Sequence, residues 1–226
     1  MQRPRLWGIV VAGLVPVVLV LAAVRILLAP WFVRLEYQRP GFPADPYGFS
    51  TTERLHWAEQ ARRYLLNPAG SEFLTALRFE DQRPVFNARE IRHLDDVKAV
   101  VQGALRVGYL AGALLVLAGW WAWRRGPAAW RAYRAALARG GWLTLLLMGG
   151  VLVAVLLAFG PFFVLFHRLF FEGDSWLFRP SDTLIRLFPE RFWVDAFLAV
   201  ALLSGLAAGA LILLGRAAQE PTSDGP

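Results

Sequence analysis

The chain contains no cysteine. Disulfides, thiolate zinc sites and cysteine nucleophiles are therefore excluded. Charge is also scarce, at 18% of 226 residues against about 25% in an ordinary soluble domain, while 57% of the residues are hydrophobic. There is no H-E-x-x-H element, no G-x-S-x-G turn and no phosphate-binding glycine loop. The usual metalloprotease, serine-hydrolase and nucleotide-binding motifs are thus missing. Strand-like alternation of any length is absent as well, which predicts an all-α protein.

The apolar residues cluster into four stretches, each near the roughly 20 residues needed to cross a bilayer. Leu6–Ala29 is broken only by Arg25, and Ala99–Trp123 only by Gln102 and Arg106. Gly141–Phe166 and Ala196–Gly215 carry no charge. A cleaved secretory signal does not fit the first stretch, because its 19 apolar residues before Arg25 exceed the usual core of about 7–15. Pro16 is tolerable in a membrane helix. The expected architecture is an all-α integral membrane protein with transmembrane helices at 6–29, 99–123, 141–166 and 192–215. A helical or irregular cap occupies 30–98, and an aromatic loop occupies 167–191.

Basic residues set the orientation. Arg3 and Arg5 precede the first span, five arginines (124, 125, 131, 134 and 139) lie between the second and third, and Arg216 follows the fourth. Only Glu220 and Asp224 oppose these 8 basic residues, whereas segment 30–98 holds 10 basic and 10 acidic residues, and 167–191 holds 4 of each. The positive-inside rule predicts cytoplasmic termini, with a cytoplasmic basic loop at 124–140 and tail at 216–226. The cap and aromatic loop are then extracytoplasmic. The net charge of +7 is a topology signal, and no nucleic-acid partner is expected. Trp120, Trp121, Trp123, Trp130 and Trp142 read as an inner aromatic belt. From Phe159 to Phe197, 12 of 39 residues are Phe or Trp, more than a belt alone explains.

The 69-residue cap is too long to be a plain connector. Arg39-Pro40-Gly41-Phe42-Pro43-Ala44-Asp45-Pro46 is a turn-forming run. Ser50 and Glu53 make a capping box that opens a helix through Leu66, where Asn67-Pro68-Ala69-Gly70 stops it. Leu55, Ala58, Arg62 and Leu65 share one face of that helix, and Glu59 and Arg63 form an i,i+4 pair. A second helix is expected from Asn87 through His93 into the second span.

The three histidines all fall on the outer side. His93 and His167 are 74 residues apart, yet the topology puts both at the outer membrane–water boundary. Each alone reads as an interfacial histidine satisfied by local hydrogen bonds. Together they could supply a general base and a general acid. His56, beside Trp57, reads as solvated or packing. Glu90, His93 and Asp96 share a helical face. His93, Asp96 and His167 would also allow a weak metal site, although no metal or other cofactor is expected. Arg25, Arg106 and Asp195 lie toward the outer span ends. The arginines either snorkel or pair with Asp195 as a polar floor beneath the cap.

These residues resemble motifs of the bacterial lipoprotein intramolecular transacylase (Lit) family. The likeness lies in Tyr47-Gly48-Phe49-Ser50 with Arg54, in Glu90-x-x-His93-x-x-Asp96-Val97, and in Phe166-His167-x-Leu169-Phe170-Phe171 with Trp176-Leu177-Phe178. The long run Asp182-Thr183-Leu184-Ile185-Arg186-Leu187-Phe188-Pro189-Glu190 completes it. The resemblance implies a four-helix enzyme of the bacterial cytoplasmic membrane with catalytic residues at His93 and His167. It acts on a diacylated lipoprotein and moves the sn-2 acyl chain to the α-amino group of the N-terminal cysteine, leaving a lyso-form lipoprotein. Tyr47, Phe49, Ser50, Arg54, Glu90 and Asp96 are its supporting residues. Phe170, Phe171 and Trp176 would wall the acyl glycerol or belong to a membrane belt. Another lipid-modifying or metal-dependent membrane hydrolase, and a non-enzymatic scaffold, remain as alternatives. Membrane lipid is a further partner, and the sequence leaves the oligomeric state open.

Overall fold

The computed structural model describes residues 3–216. The side chains of Arg3 and Arg5, and the tail residues 217–226 with Glu220 and Asp224, lie outside the described residues. Among the described residues the fold is all-helical. The helices are α1 (Arg3–Leu27), α2 (Pro30–Gln38), α3 (Thr51–Leu66), α4 (Glu72–Thr75), α5 (Ala88–Arg124), α6 (Pro127–Phe170), α7 (Thr183–Leu187) and α8 (Glu190–Arg216).

Four of them are long and apolar enough to cross a membrane: Leu6–Leu27 within α1, then α5, α6 and α8. Only 6–22% of the most apolar stretch of each is buried inside the protein. Leu110, Val116, Leu146, Leu157 and Leu206 stand exposed. A surface this apolar is stable against lipid rather than water. Helices of 37 and 44 residues rise about 55 and 66 Å, so α5 and α6 exceed a hydrocarbon core of about 30 Å. Their polar ends account for the difference. The sequence-assigned loop at 124–140 is mostly helix, because only Arg125 and Gly126 separate α5 from α6. Pro127 takes the first helical position and an alanine-rich run continues the helix.

The chain divides into two compact units: residues up to Arg25 with Arg106–Val153 and the chain from Leu198, and Ile26–Leu105 with Ala154–Phe197. In the first, Val11, Ala122, Tyr133 and Ala136 form a core flanked by Trp7, Leu115 and Leu137. The Tyr133 hydroxyl donates to Leu115 O at 2.9 Å. Small residues let the helices approach closely, as lipid-embedded packing favours. A Cβ on Gly140 would stand 2.5 Å from Val15 Cβ and 2.7 Å from Ala12 O, and one on Gly141 would stand 2.8 Å from Ala208 O. Two adjacent glycines on α6 therefore seat α1 and α8. Arg124 and Arg125 cover the rings of Trp120 and Trp121 at 5.4 and 5.0 Å.

The second unit holds the cap. Ser50 and Glu53 form the reciprocal capping box that starts α3. The stripe α3 buries is Arg54, Ala58, Ala61 and Tyr64. Leu55, Arg62 and Leu65 are half-buried at its edges. Gln102 Nε2 donates to Leu65 O and Asn67 O at 3.3 and 3.2 Å, satisfying carbonyls at the end of α3. Glu59 pairs with Arg62 at 2.6 Å as well as with Arg63 at 3.5 Å. Arg54 is buried and donates to Arg186 O and Pro43 O. Arg186 in turn forks onto Asp45 at 3.1 and 2.7 Å. Burial alone would push the Asp45 carboxyl up. The Arg186 guanidinium and the Phe49 N–H outweigh it and hold Asp45 below the usual carboxylate range.

Gly140→Ala should lower the melting temperature of the purified protein, because a backbone oxygen blocks the new methyl. Gly150→Ala, with nothing within 4 Å, should leave it unchanged or slightly raised. Asp45→Ala strands a largely buried guanidinium and should cost about 3 kcal/mol in an unfolding titration. Because the folded Asp45 pKa is depressed, its contribution is present above about pH 4 and is lost as pH falls through the folded value. Acid sensitivity in that range should therefore shrink in Asp45→Asn.

Candidate active site

Helix α5 starts at a second reciprocal cap. Asn87 Oδ1 accepts the N–H groups of Arg89 and Glu90 at 2.9 and 3.1 Å, and Glu90 accepts the Asn87 N–H at 2.7 Å. Glu90 is only 1% exposed, and its other oxygen accepts the Leu184 N–H at the start of α7. Its carboxylate touches neither an imidazole nor Arg89 or Arg92. It joins two helix beginnings instead. His93 follows three residues later on α5, 6% exposed.

His167 arrives from α6 by way of a kink. Ala158 leaves the helical region at φ −152°, three residues before Pro161. Proline removes a backbone donor and crowds the carbonyl four residues earlier, which accounts for the break. Beyond it, His167 is 7% exposed. Its Nδ1–H donates to Phe163 O at 2.8 Å, since a carbonyl can only accept. In the neutral ring that leaves the lone pair on Nε2.

The two imidazoles are stacked, with centroids 5.9 Å apart and planes 21° from parallel. Phe171 and Phe178 meet the His93 ring edge-on at 5.0 and 5.3 Å. Phe163, Phe171 and Trp176 meet the His167 ring at 4.1, 5.6 and 5.1 Å. Two polar atoms in this aromatic enclosure, His93 Nδ1 and Trp176 Nε1, are buried without a hydrogen-bond partner.

The segment after α6 turns back through Gly173, whose φ of +70° suits glycine. Four hydrogen bonds then tie it to the start of α5. Ser175 Oγ donates to Asp96 at 3.3 Å and Arg89 donates to Leu177 O at 2.9 Å. Asn87 Nδ2 donates to Asp182 at 3.2 Å, and Leu184 N–H to Glu90. Asp96 is thus engaged by Ser175. Among the described residues no group of three His, Asp or Glu side chains is arranged to hold a metal.

The remaining sequence candidates gather around Arg186. Tyr47 and Phe49 lie 5.4 and 3.6 Å from its guanidinium, Arg54 binds its carbonyl, and Ser50 caps α3. They contact Arg186, Asp45 and Glu53 rather than the imidazoles. Phe170 is 45% exposed and packs on Phe166 and Phe171. His56 is exposed and packs edge-on against Trp57.

Asp195, read from the sequence as a partner of Arg25 or Arg106, finds ion pairs within its own unit. It pairs with Arg191, one turn before it on α8, at 2.6 Å and with Arg39, the residue after α2, at 3.0 Å, while Arg25 and Arg106 are exposed as snorkelling predicts. Glu36 belongs to the same cluster. Burial raises its pKa, Arg39 lowers it and Asp195 raises it further, leaving it above the usual value. Helices α2, α4 and α7, the Asp45–Arg186 pair and Phe163 escaped the sequence reading, and Phe178 stood in a quoted motif without a site role. Pro161, and Pro30 at the start of α2, were the available signals.

Comparison with known proteins identifies the family and the fold. The family model for the lipoprotein intramolecular transacylase Lit matches residues 9–193. An uncharacterized protein of Aquifex aeolicus is 32% identical over 183 residues, 80% of each chain. The in meso structure of the membrane-integral transacylase Lit from Bacillus cereus shares the fold at TM-score 0.73, with 21% identity over 96% of both chains. A variant of that enzyme carrying a histidine-to-arginine substitution gives TM-score 0.73 and 23% identity over 96% of this chain and 92% of its own. The fold is that of a multi-pass membrane protein, and the chain belongs to the lipoprotein intramolecular transacylase Lit family.

Proposed function

We propose that His93 and His167 together move the protons of an intramolecular acyl transfer on a diacylated lipoprotein. The observation that carries this is the stacking of two buried imidazoles from distant helices, 5.9 Å apart, within one aromatic enclosure. Membership of the Lit family makes the protein an acyltransferase of the lipoprotein intramolecular transacylase class. The sn-2 acyl chain of the diacylglyceryl group passes to the α-amino group of the N-terminal cysteine.

Direct attack of the amine on the ester carbonyl closes a ring of about 8 atoms, so the enzyme's first task is to hold the two ends together. No enzyme nucleophile is needed. The Nδ1–H of His167 is committed to Phe163 O, which supports Nε2 as the base that takes the proton from the attacking nitrogen. His93 then donates to the departing glyceryl oxygen. One N–H and one ester C–O bond are broken, and one amide C–N and one O–H bond are made. Proton return from His167 to His93 resets the pair. The aromatic rings exclude water, the competing nucleophile.

The charge distribution supports an orientation with both termini and the 124–140 segment in the cytoplasm. Segments 30–98 and 167–191 then face outward, and substrate meets the histidines at the outer face of the bacterial cytoplasmic membrane. Because the chain has no cysteine, single replacements at the exposed residues Thr52 and Arg125 report the topology cleanly. A membrane-impermeant maleimide applied to intact spheroplasts should label Thr52→Cys and spare Arg125→Cys. The reverse pattern would overturn the orientation.

The chemistry is tested by expressing the chain in a host without such transacylation and analysing a reporter lipoprotein's N-terminal peptide by mass spectrometry. Total mass should stay constant while one acyl group moves from glycerol to nitrogen. Hydrolysis would instead lower the mass. Either His93→Ala or His167→Ala should cut the rate by about 100-fold or more. Retained migration in both variants would remove the histidines from the mechanism.

A further inference from the structure

We infer that the indole N–H of Trp176 is the hydrogen-bond donor that stabilises the oxyanion formed at the migrating acyl carbonyl. The inference rests on the transacylase reading above and gives it a third participating side chain.

A buried N–H with no partner is rare in a folded protein, because it forfeits water without compensation. Trp176 Nε1 is such an atom, and indole nitrogen can only donate. Its ring lies 5.1 Å from that of His167, the ring with a free Nε2 lone pair. Its position is also fixed from both sides. Ser175 is tied to Asp96 and Leu177 to Arg89, residues that bracket His93 on α5, and the Leu177 N–H closes a turn onto Asp174 O at 3.0 Å. A merely structural tryptophan could have satisfied its N–H within this network. Instead, the network holds a donor still beside the proposed base and leaves its hydrogen unspent. A donor fixed in advance, in a water-poor site, is what charge developing on a carbonyl oxygen requires.

In the step itself, the amine nitrogen gives a proton to His167 Nε2 and forms a bond to the ester carbonyl carbon, and the π pair moves onto oxygen. The Trp176 N–H hydrogen-bonds to that oxygen without giving up its proton. Collapse restores the C=O and breaks the bond to the glyceryl oxygen, which takes a proton from His93.

The test uses the full-length protein in detergent or nanodiscs with a synthetic diacylglyceryl-cysteinyl peptide. Trp176→Phe keeps an aromatic wall and removes only the donor. It should lower kcat by about 10- to 100-fold, with KM changed less than about threefold. A second arm needs no variant. The same peptide, N-acetylated so that it cannot react and carrying a 13C label in the sn-2 ester carbonyl, is bound to wild-type enzyme and examined by isotope-edited infrared spectroscopy. The carbonyl band should move to lower frequency than in detergent alone, and the displacement should disappear in Trp176→Phe. An unshifted band in the wild type, or an unchanged kcat in Trp176→Phe, overturns the role of Trp176 while leaving the transacylase intact. A wild-type enzyme that moves no acyl group would defeat the underlying reading instead, and this inference with it.

Discussion

A single carboxylate shut away from water, that of Glu90, holds the site in register. A buried carboxylate is tolerated only when its oxygens are hydrogen-bonded. Those of Glu90 are filled by the N–H groups of Asn87 and Leu184, which begin α5 and α7. The His93 helix is thereby fastened to a segment 94 residues further along the chain. Everything between His167 and α7 then has both ends fixed, and Trp176 and Phe178 lie within that interval. The same α7 carries Arg186, so the cluster of Asp45, Tyr47, Phe49 and Arg54 bears on the imidazoles at one remove. Those residues contact Arg186 rather than the imidazoles.

The lining has its own chemical logic. An acyl ester and an amine tethered in one substrate need no covalent relay through the enzyme. They need confinement, proton management and a dry surrounding. Phe163, Phe171, Phe178 and Trp176 supply apolar faces around two neutral-capable bases. Hydrophobic contacts alone would hold these rings loosely. The hydrogen bond from Arg89 to Leu177 O, and those that Asp96 and Glu90 accept from Ser175 and Leu184, fix the aromatic loop as a wall.

How much was legible beforehand depends on how local the controlling physics is. The four spans stood out because lipid imposes a long apolar run on every membrane helix. The Ser50–Glu53 cap was visible because its partners are three residues apart, and Asn87, the expected start of the second helix, stands at the same spacing from Glu90. Pairing across distance was not legible. Arg191 stands at a legible i,i+4 spacing from Asp195, but nothing near Asp195 says that it will also choose Arg39, 156 positions earlier, rather than Arg25 or Arg106. Likewise, Asp45 and Arg186 are 141 residues apart. The basic segment at 124–140 looked like a loop because charge was weighed for topology, although its alanines favour helix. The kink at Ala158 had a local cause in Pro161, but proline in a membrane helix bends some helices and spares others, as the unbroken α1 around Pro16 illustrates.

The most direct test of the central claim is an experimental structure of the protein in lipid with an amine-blocked diacylated lipopeptide bound. The account predicts that the sn-2 ester lies against the His93–His167 pair, with the blocked nitrogen closer to His167 Nε2 than to either nitrogen of His93. An ester bound away from the imidazole pair, or imidazoles turned from one another around the ligand, would contradict it.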